Sequence, residues 1–282
     1  MKLYKIETGN LKLDGGAMFG VVPKVIWQKL YPADENNLCN WAMRCLLVET
    51  DKHKVLIDTG MGTKQSDKFF SHYYPNGDAT LESSLKENGF SPEDITDVIL
   101  THLHFDHVGG AVKYNENNEL VPAFPNATYH VAKTHWELAN NPNRREKASF
   151  LIENYSALEK YKQLNLIEKE EEIIPNIEIK IFNGHTIGQI IPYVKYNNTK
   201  IIFGADLFPS TAHIPMPYIM SYDTQPLVTL KDKKRFFKDA VKNNYTIFFE
   251  HDLYNECCNL IETEKGVKVN KTYTLKEFIE NN

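Results

Sequence analysis

The stretch THLHFDHVGG, residues 101–110, decides how this chain is interpreted. It places three histidines and one aspartate within six residues, directly after the apolar run Val98–Leu100. Alternate side chains of an extended segment share one face, so His102 and His104 can point to the same place. Imidazole nitrogen and carboxylate oxygen are the donors that proteins offer to zinc and similar metals. The stretch therefore predicts a metal site at the end of a strand.

Three further potential ligands occur later in the chain, and each follows an apolar run that predicts a strand. These residues are His185 after Ile177–Phe182, Asp206 after Lys200–Phe203, and His251 after Thr246–Phe249. Loops at strand ends often carry functional side chains on a rigid scaffold. Together with the first cluster they supply five histidines and two aspartates, which is enough for two metals.

Composition narrows the class of protein. The chain has 282 residues, of which 42% are hydrophobic and 24% charged, as is typical of globular proteins. A net charge of -5 disfavours a nucleic-acid partner. No apolar run reaches 18 residues and the first residues lack an apolar signal region, so we expect neither membrane insertion nor secretion. We predict a cytoplasmic protein with reduced cysteines.

Short predicted strands and helices are interspersed along the whole chain. Helices are predicted over Thr80–Asn88, Glu146–Gln163 and Thr229–Asn243, and a capping box at Thr274 predicts a last one. No linker divides the sequence, so we expect a single domain, 1–282. Its fold class is α/β, with two mixed sheets packed face to face and helices outside.

Residues 10–37 form a long, glycine-punctuated apolar segment. An apolar loop of this length is unusual unless it covers something. Three interpretations remain open: a loop packed on the core, a wall of the substrate pocket, or a contact in a homodimer.

The motif HxHxDH at His102–His107 resembles that of the metallo-β-lactamase superfamily, and Ile57–Gly60 is similar to another motif of that family. The resemblance implies an αββα sandwich with two zinc ions per chain at one edge of the sheets. By position it implies that His102, His104 and His185 hold one zinc, that Asp106, His107 and His251 hold the other, and that Asp206 bridges them. Asp58 would orient a ligand imidazole, and Asp106 and Asp206 would be the catalytic carboxylates.

Within the superfamily, the segment Ala205–Pro215 resembles N-acyl homoserine lactonases and enzymes of the methyl-parathion-hydrolase type. The resemblance implies a hydrolase that opens the lactone ring of a small-molecule substrate by attack of a metal-bridging hydroxide, as in quorum quenching. The family places a tyrosine three residues after the bridging aspartate, where this chain has Pro209. The substrate-binding candidates are Met18, Phe19, Trp27, His213 and Tyr218.

Two alternatives belong to other functional classes. The first is a hydrolase of phosphotriesters or aryl esters, because the same metal pair can serve that reaction. The second is a zinc-stabilised binding module without catalysis, which is disfavoured because all seven ligand positions are filled.

Overall fold

The ligand motifs lie at the ends of strands in two large β-sheets. The computed structural model describes every residue, Met1–Asn282. The strands of the first sheet and of a small hairpin are β1 (Lys2–Asp14), β2 (Leu38–Glu49), β3 (Lys54–Ile57), β4 (Asp97–Ile99), β5 (Val112–Tyr114), β6 (Leu120–Pro122), β7 (Thr128–Ala132) and β8 (Leu164–Ile167). The order in the six-stranded sheet is β1-β2-β3-β4-β7-β8, and β5 pairs with β6.

The second sheet has seven strands. They are β9 (Glu172–Ile174), β10 (Ile177–Phe182), β11 (Gln189–Tyr196), β12 (Thr199–Phe203), β13 (Thr246–Phe248), β14 (Cys257–Thr263) and β15 (Gly266–Tyr273). Their order is β15-β14-β13-β12-β11-β10-β9. Both sheets are mixed, since β3, β4, β7 and β8 pair in parallel in the first, and β12 and β13 in the second.

Nine α-helices connect or cover these strands. They are α1 (Gly15–Phe19), α2 (Lys24–Trp27), α3 (Asp67–Phe70), α4 (Leu81–Glu87), α5 (Phe105–Val108), α6 (Lys133–Asn140), α7 (Ser156–Lys160), α8 (Pro226–Lys242) and α9 (Leu275–Asn281). The predicted capping box at Thr274 is confirmed, because its hydroxyl accepts a hydrogen bond from the Glu277 amide. None of the helices combines the length and apolarity that a membrane span requires. The predicted α/β class with two mixed sheets is confirmed.

The chain divides into two compact units. The first comprises Met1–Asn10 and Met43–Glu170, and the second comprises Leu11–Ala42 and Glu171–Asn282. The boundaries fall inside β1 and β2. The single domain expected over 1–282 stays a prediction.

Each unit has its own apolar core. In the first, Leu56, Val98 and Tyr129 from neighbouring strands pack with Leu85 of α4 and Trp136 of α6, all of them buried. Each such side chain contributes about 1.5–3 kcal/mol by burial.

In the second unit, α8 packs through aromatic rings. The Phe208 ring lies 4.8 Å from the Phe236 ring and 5.3 Å from the Phe237 ring, measured between centroids. Both partners are on the buried face of α8, so they fix this helix against the segment that follows β12.

One predicted helix is wrong. In place of a helix over Glu146–Gln163, the chain forms 3-10 turns at Lys147–Ser149 and Ile152–Asn154, followed by the five-residue α7. Asn154 is buried and accepts a hydrogen bond from Gln65 Nε2 at 2.9 Å. Its side chain therefore takes part in a tertiary contact, which overrides the local preference for helix.

Candidate metal centre

In the first unit, parallel pairing brings two motifs to the same sheet edge. Ile57 pairs with Ile99, so Asp58 and the loop that carries His102 and His104 leave neighbouring strands at the same end. The His102 ring centroid lies 4.5 Å from that of His104 and 3.9 Å from that of His107. All three rings are buried. The structure thus gathers three of the predicted ligands into one group.

Asp106 belongs to the same group. It lies in α5 beside His107, and its Oδ2 is 3.9 Å from His107 Nε2. Its side chain is largely buried. The four predicted ligands of this unit therefore lie together.

Asp58 holds the far ring nitrogen of His107 directly and that of His102 through the Thr101 hydroxyl. Its Oδ2 lies 3.1 Å from His107 Nδ1 and accepts a hydrogen bond of 2.6 Å from the Thr101 hydroxyl. The Thr101 oxygen in turn lies 3.1 Å from His102 Nδ1. Because Nδ1 is held in both rings, Nε2 is the atom offered to a metal. Asp58 adopts a φ of 58°, a strained backbone of the kind found at functional sites.

The backbone at Gly109 packs so closely against the loop after β3 that a side chain would not fit there. A Cβ at this position would lie 1.9 Å from the Met61 carbonyl oxygen. Only glycine permits this approach of the loop after β3 to the end of α5. The Thr59 amide also donates to the His107 carbonyl at 2.8 Å, so two loops are joined at the ligand helix.

In the second unit, the remaining three predicted ligands lie together. Phe203 pairs with Phe248 in parallel, so the segments after β12 and β13 emerge at the same edge. Asp206 Oδ2 lies 3.1 Å from His185 Nε2, and its Oδ1 lies 3.1 Å from His251 Nε2. All three side chains are buried. One carboxylate therefore lies between two imidazoles.

The hydrogen bond of the His251 ring and the spacing of the group show that it fits a metal. His251 Nδ1 lies 2.8 Å from the Ala42 carbonyl oxygen, which can only accept, so Nδ1 carries the hydrogen. In the neutral ring, Nε2 then presents a lone pair to the Asp206 carboxylate, which also only accepts. Two zinc ligands at roughly 2.0–2.1 Å from a tetrahedral ion are about 3.3 Å apart. The observed spacing thus suits two ligands of one cation.

Sequence reasoning missed Asp223. Its Oδ1 lies 2.9 Å from His185 Nδ1, and its Oδ2 accepts a hydrogen bond of 2.6 Å from the Thr229 hydroxyl. Asp223 fixes His185 in the same way that Asp58 fixes His107. It is separated from His185 by 38 positions and lies in no strand-end motif, so no sequence signal pointed to it.

Glu146 is a second missed carboxylate. It is buried, and its Oε2 lies 3.6 Å from His104 Nε2. Its Oε1 accepts a hydrogen bond of 2.6 Å from Asn143 Nδ2. A third carboxylate therefore borders the first ligand group.

Two aromatic rings pack against the residue that precedes Asp106. The Phe105 ring, between two predicted ligands in the sequence, lies 4.5 Å from the Tyr73 ring and 5.2 Å from the Phe69 ring. Phe69 and Tyr73 are half-buried. Burial raises the pKa of Tyr73, and the negative charge of Asp106 raises it further.

The apolar segment of the second unit packs largely on itself. Met18, Phe19 and Trp27 are buried, and Phe19 stacks on Trp27 at 4.9 Å and on His213 at 4.7 Å between ring centroids. Tyr218 is partly buried and meets Phe19 edge-on. The first three side chains are thus core residues, and their role in substrate binding stays a prediction.

Both ring nitrogens of His213 make hydrogen bonds within the protein. Its Nε2 donates to the Met18 carbonyl and its Nδ1 accepts from the Ser210 hydroxyl, each at 2.8 Å. Burial lowers the pKa of His213 to about 3, so the ring is neutral. It joins the apolar segment to the loop after Asp206.

Lys233 of α8 fixes the same loop. Its ammonium is fully buried and donates to the carbonyls of His213 at 2.7 Å and Pro215 at 2.8 Å. It also reaches the carbonyls of Met216 at 3.3 Å and Tyr218 at 3.2 Å.

Comparison with known proteins agrees with this description. The family model described as the metallo-beta-lactamase superfamily matches residues 44–249. An N-acyl homoserine lactonase of Bacillus cereus is 25% identical over 96% of this chain and 98% of its own length. The N-acyl homoserine lactonase AiiA of Bacillus thuringiensis subsp. kurstaki is 26% identical over the same shares.

Solved structures give the same result. A probable metal-dependent hydrolase from Staphylococcus aureus has a TM-score of 0.87 and 29% identity, covering 97% of this chain and 96% of its own. AidC, a dizinc quorum-quenching lactonase, has a TM-score of 0.79 and 23% identity, covering 97% and 95%. The predicted fold is confirmed by these similarities. The chain belongs to the metallo-β-lactamase superfamily and is a metal-dependent hydrolase.

Proposed function

We propose that this protein is a dinuclear zinc hydrolase that opens the lactone ring of N-acyl homoserine lactones. The observation that carries the proposal is Asp206, whose two oxygens each face the Nε2 of an imidazole at 3.1 Å. A carboxylate whose two oxygens each face a different imidazole nitrogen is suited to bridge two cations. The names of the lactonase relatives support the choice of substrate.

The seven ligand residues would divide between two zinc ions. His102, His104 and His185 would hold one zinc, and Asp106, His107 and His251 the other. A single tetrahedral zinc uses four ligands, so seven donors suit two ions joined by Asp206. When bound, the ions would supply water activated at neutral pH and a polarised carbonyl.

Carboxylates of the protein would orient the ligand imidazoles and transfer the proton. Asp58 and Asp223 hold His107 and His185 in the tautomer that offers Nε2. Asp106 would accept the proton from the attacking water and pass it to the leaving alkoxide. Because these groups are held by hydrogen bonds before substrate arrives, little reorganisation is needed during the reaction.

The experiment is a substrate panel with the zinc-loaded protein. N-hexanoyl homoserine lactone should be opened, with one proton released per turnover. Activity should vanish after chelation and return with zinc. Methyl parathion and a β-lactam complete the panel. Turnover of methyl parathion without lactone opening would favour the phosphotriester alternative, and an inert protein that retains zinc would favour the binding module. The cytoplasmic location and the homodimer stay predictions.

A further inference from the structure

We propose that a cleft in the first unit, beside Gly109 and Gly110, binds a small amphiphilic carboxylate whose charged group is held by Lys64. None of the seven predicted metal ligands lines this cleft. The inference is therefore separate from the proposed hydrolysis.

The cleft has the size of a small-molecule site. Its volume is about 440 Å³, which lies within the roughly 300–1,000 Å³ of typical ligand pockets. Its lining comes from the loop after β3, from α4, and from β5 and its surroundings. Leu85, Val112 and Phe124 are buried lining residues, whereas Thr63 and Lys113 are exposed. The cleft thus opens to solvent above an apolar floor.

Lys64 supplies a half-buried positive charge to this cleft. Lys64 and Gly109 both line it, and the Lys64 ammonium donates a hydrogen bond to the Gly109 carbonyl. The ammonium forms no ion pair, since Glu153 acts on it only from a longer distance. The one acid that lines the cleft, Glu82, is exposed to solvent. Burial lowers the pKa of Lys64 to about 8, so the ammonium is mostly charged at pH 7.

Close backbone packing fixes the loop that carries this lysine. Gly62 adopts a φ of 65°, and a Cβ there would lie 2.3 Å from the Gly109 carbonyl oxygen. A Cβ on Gly110 would lie 2.3 Å from the Thr59 carbonyl oxygen. Because the loop and the glycine pair meet backbone to backbone, Lys64 is positioned before any ligand arrives.

The chemistry of the cleft selects the class of ligand. An ammonium has three hydrogens, and the carbonyl of Gly109 takes one of them. A half-buried charge without an opposite charge is costly, and a bound anion would remove this cost. The apolar floor favours an alkyl tail, since burial of each methylene is favourable. A carboxylate with a short apolar chain satisfies both parts of the cleft, whereas inorganic phosphate would leave the floor uncovered.

Calorimetric titration of octanoate into the metal-loaded protein, below the micelle concentration, tests the site. Lys64→Met keeps the length of the side chain and removes its charge, so the affinity should fall about 10- to 100-fold, as for the loss of a charge-assisted hydrogen bond. Lys68→Met, at an exposed position on α3, is the control and should bind as the wild type does.

Two further comparisons separate the roles of charge and tail. Octanol, which lacks the charge, should bind the wild type more weakly than octanoate by a similar factor. From butanoate to octanoate, the affinity should rise by up to about fourfold per methylene. Thr63→Trp places a large ring at an exposed position of the lining and should also weaken octanoate binding. If circular dichroism shows that Lys64→Met does not fold, Thr63→Trp and the octanol comparison decide.

Three results would each overturn the inference. Equal octanoate affinity in the wild type, Lys64→Met and Thr63→Trp would place the ligand elsewhere. Equal affinity for octanol and octanoate would mean that the charge is not recognised. Binding that disappears on chelation but persists in Lys64→Met would place the carboxylate at the metal centre. None of these measurements uses lactone turnover, so this inference and the proposed function can fail independently.

Discussion

His185 Nδ1 lies 2.9 Å from Asp223 Oδ1. A buried carboxylate thus holds the ring nitrogen opposite the one that faces Asp206. Such partners raise ligand basicity and fix the ring orientation. Metal affinity should therefore depend on a residue that is not itself a ligand.

We expect Asp223→Asn to weaken the binding of one metal by about 10-fold or more, because the amide keeps the shape but removes the charge. Competition with a chromophoric chelator measures this affinity. Asp239→Asn, a half-exposed position on α8, is the control and should bind as the wild type does. Equal affinities for both variants would contradict the proposed role.

Asp206→Asn should have a larger effect. Removing the charge that joins two cations should lower metal affinity by more than the roughly 10- to 100-fold that is lost when a residue orienting a ligand is changed. Elemental analysis after dialysis should find less than two zinc ions per chain, and lactone opening should be lost. Circular dichroism should show an unchanged fold. Near-wild-type turnover would mean that Asp206 is not the bridge.

A separate carboxylate should govern stability in acid. Burial alone would raise the pKa of Asp97, but hydrogen bonds from His130, His53 and Thr96 overcome this and lower it to about 2. A depressed pKa in the folded state gives stability that is present above about pH 4 and lost as the pH falls towards 2. The shift corresponds to about 2 kcal/mol.

Denaturant unfolding of metal-free Asp97→Asn measures this contribution. The variant should be less stable than the wild type by about 2 kcal/mol at pH 7, and the difference should shrink near pH 2. Asp51→Asn, an exposed carboxylate in the turn between β2 and β3, is the control. A difference between variant and wild type that does not change with pH would show that Asp97 acts through packing alone.

Lys233→Met should destabilise the second unit. The four carbonyls of the segment His213–Tyr218 would lose their donor, at a cost of roughly 2–4 kcal/mol. Thermal unfolding checks this, with the exposed Lys234→Met as a control that should leave Tm unchanged. An unaltered Tm in Lys233→Met would mean that the segment is held by other contacts.

The sequence allowed the ligand set to be predicted because strand-end donors follow apolar runs that are visible locally. Within each unit, strand ends in parallel register then bring that unit's donors to one sheet edge, as Ile57 with Ile99 and Phe203 with Phe248 show. Asp223 could not be predicted, since its contact with His185 depends on how a loop 38 positions further along the chain folds back onto the ring.

Other features escaped prediction for similar physical reasons. The hairpin of β14 and β15 was missed because β15 is largely exposed and polar, and the apolar alternation at Val267 and Val269 covers too few residues to indicate a strand. The segment Gly15–Trp27 is punctuated by glycine, yet it forms two short helices whose buried rings pack together. Tertiary packing determined both outcomes.

The buried ammonium of Lys233 determines how the loop that it holds responds to salt. Four carbonyl oxygens around one buried cation resemble the coordination of an alkali metal ion. The occupancy of such an ion would depend on its concentration. Here the ammonium is covalently tethered to α8, so it cannot be diluted away. Burial lowers the pKa of Lys233 to about 7, so a rise in pH, and not a change of salt, would remove the charge. The shape of the loop should be the same whether the surrounding salt is sodium, potassium or neither.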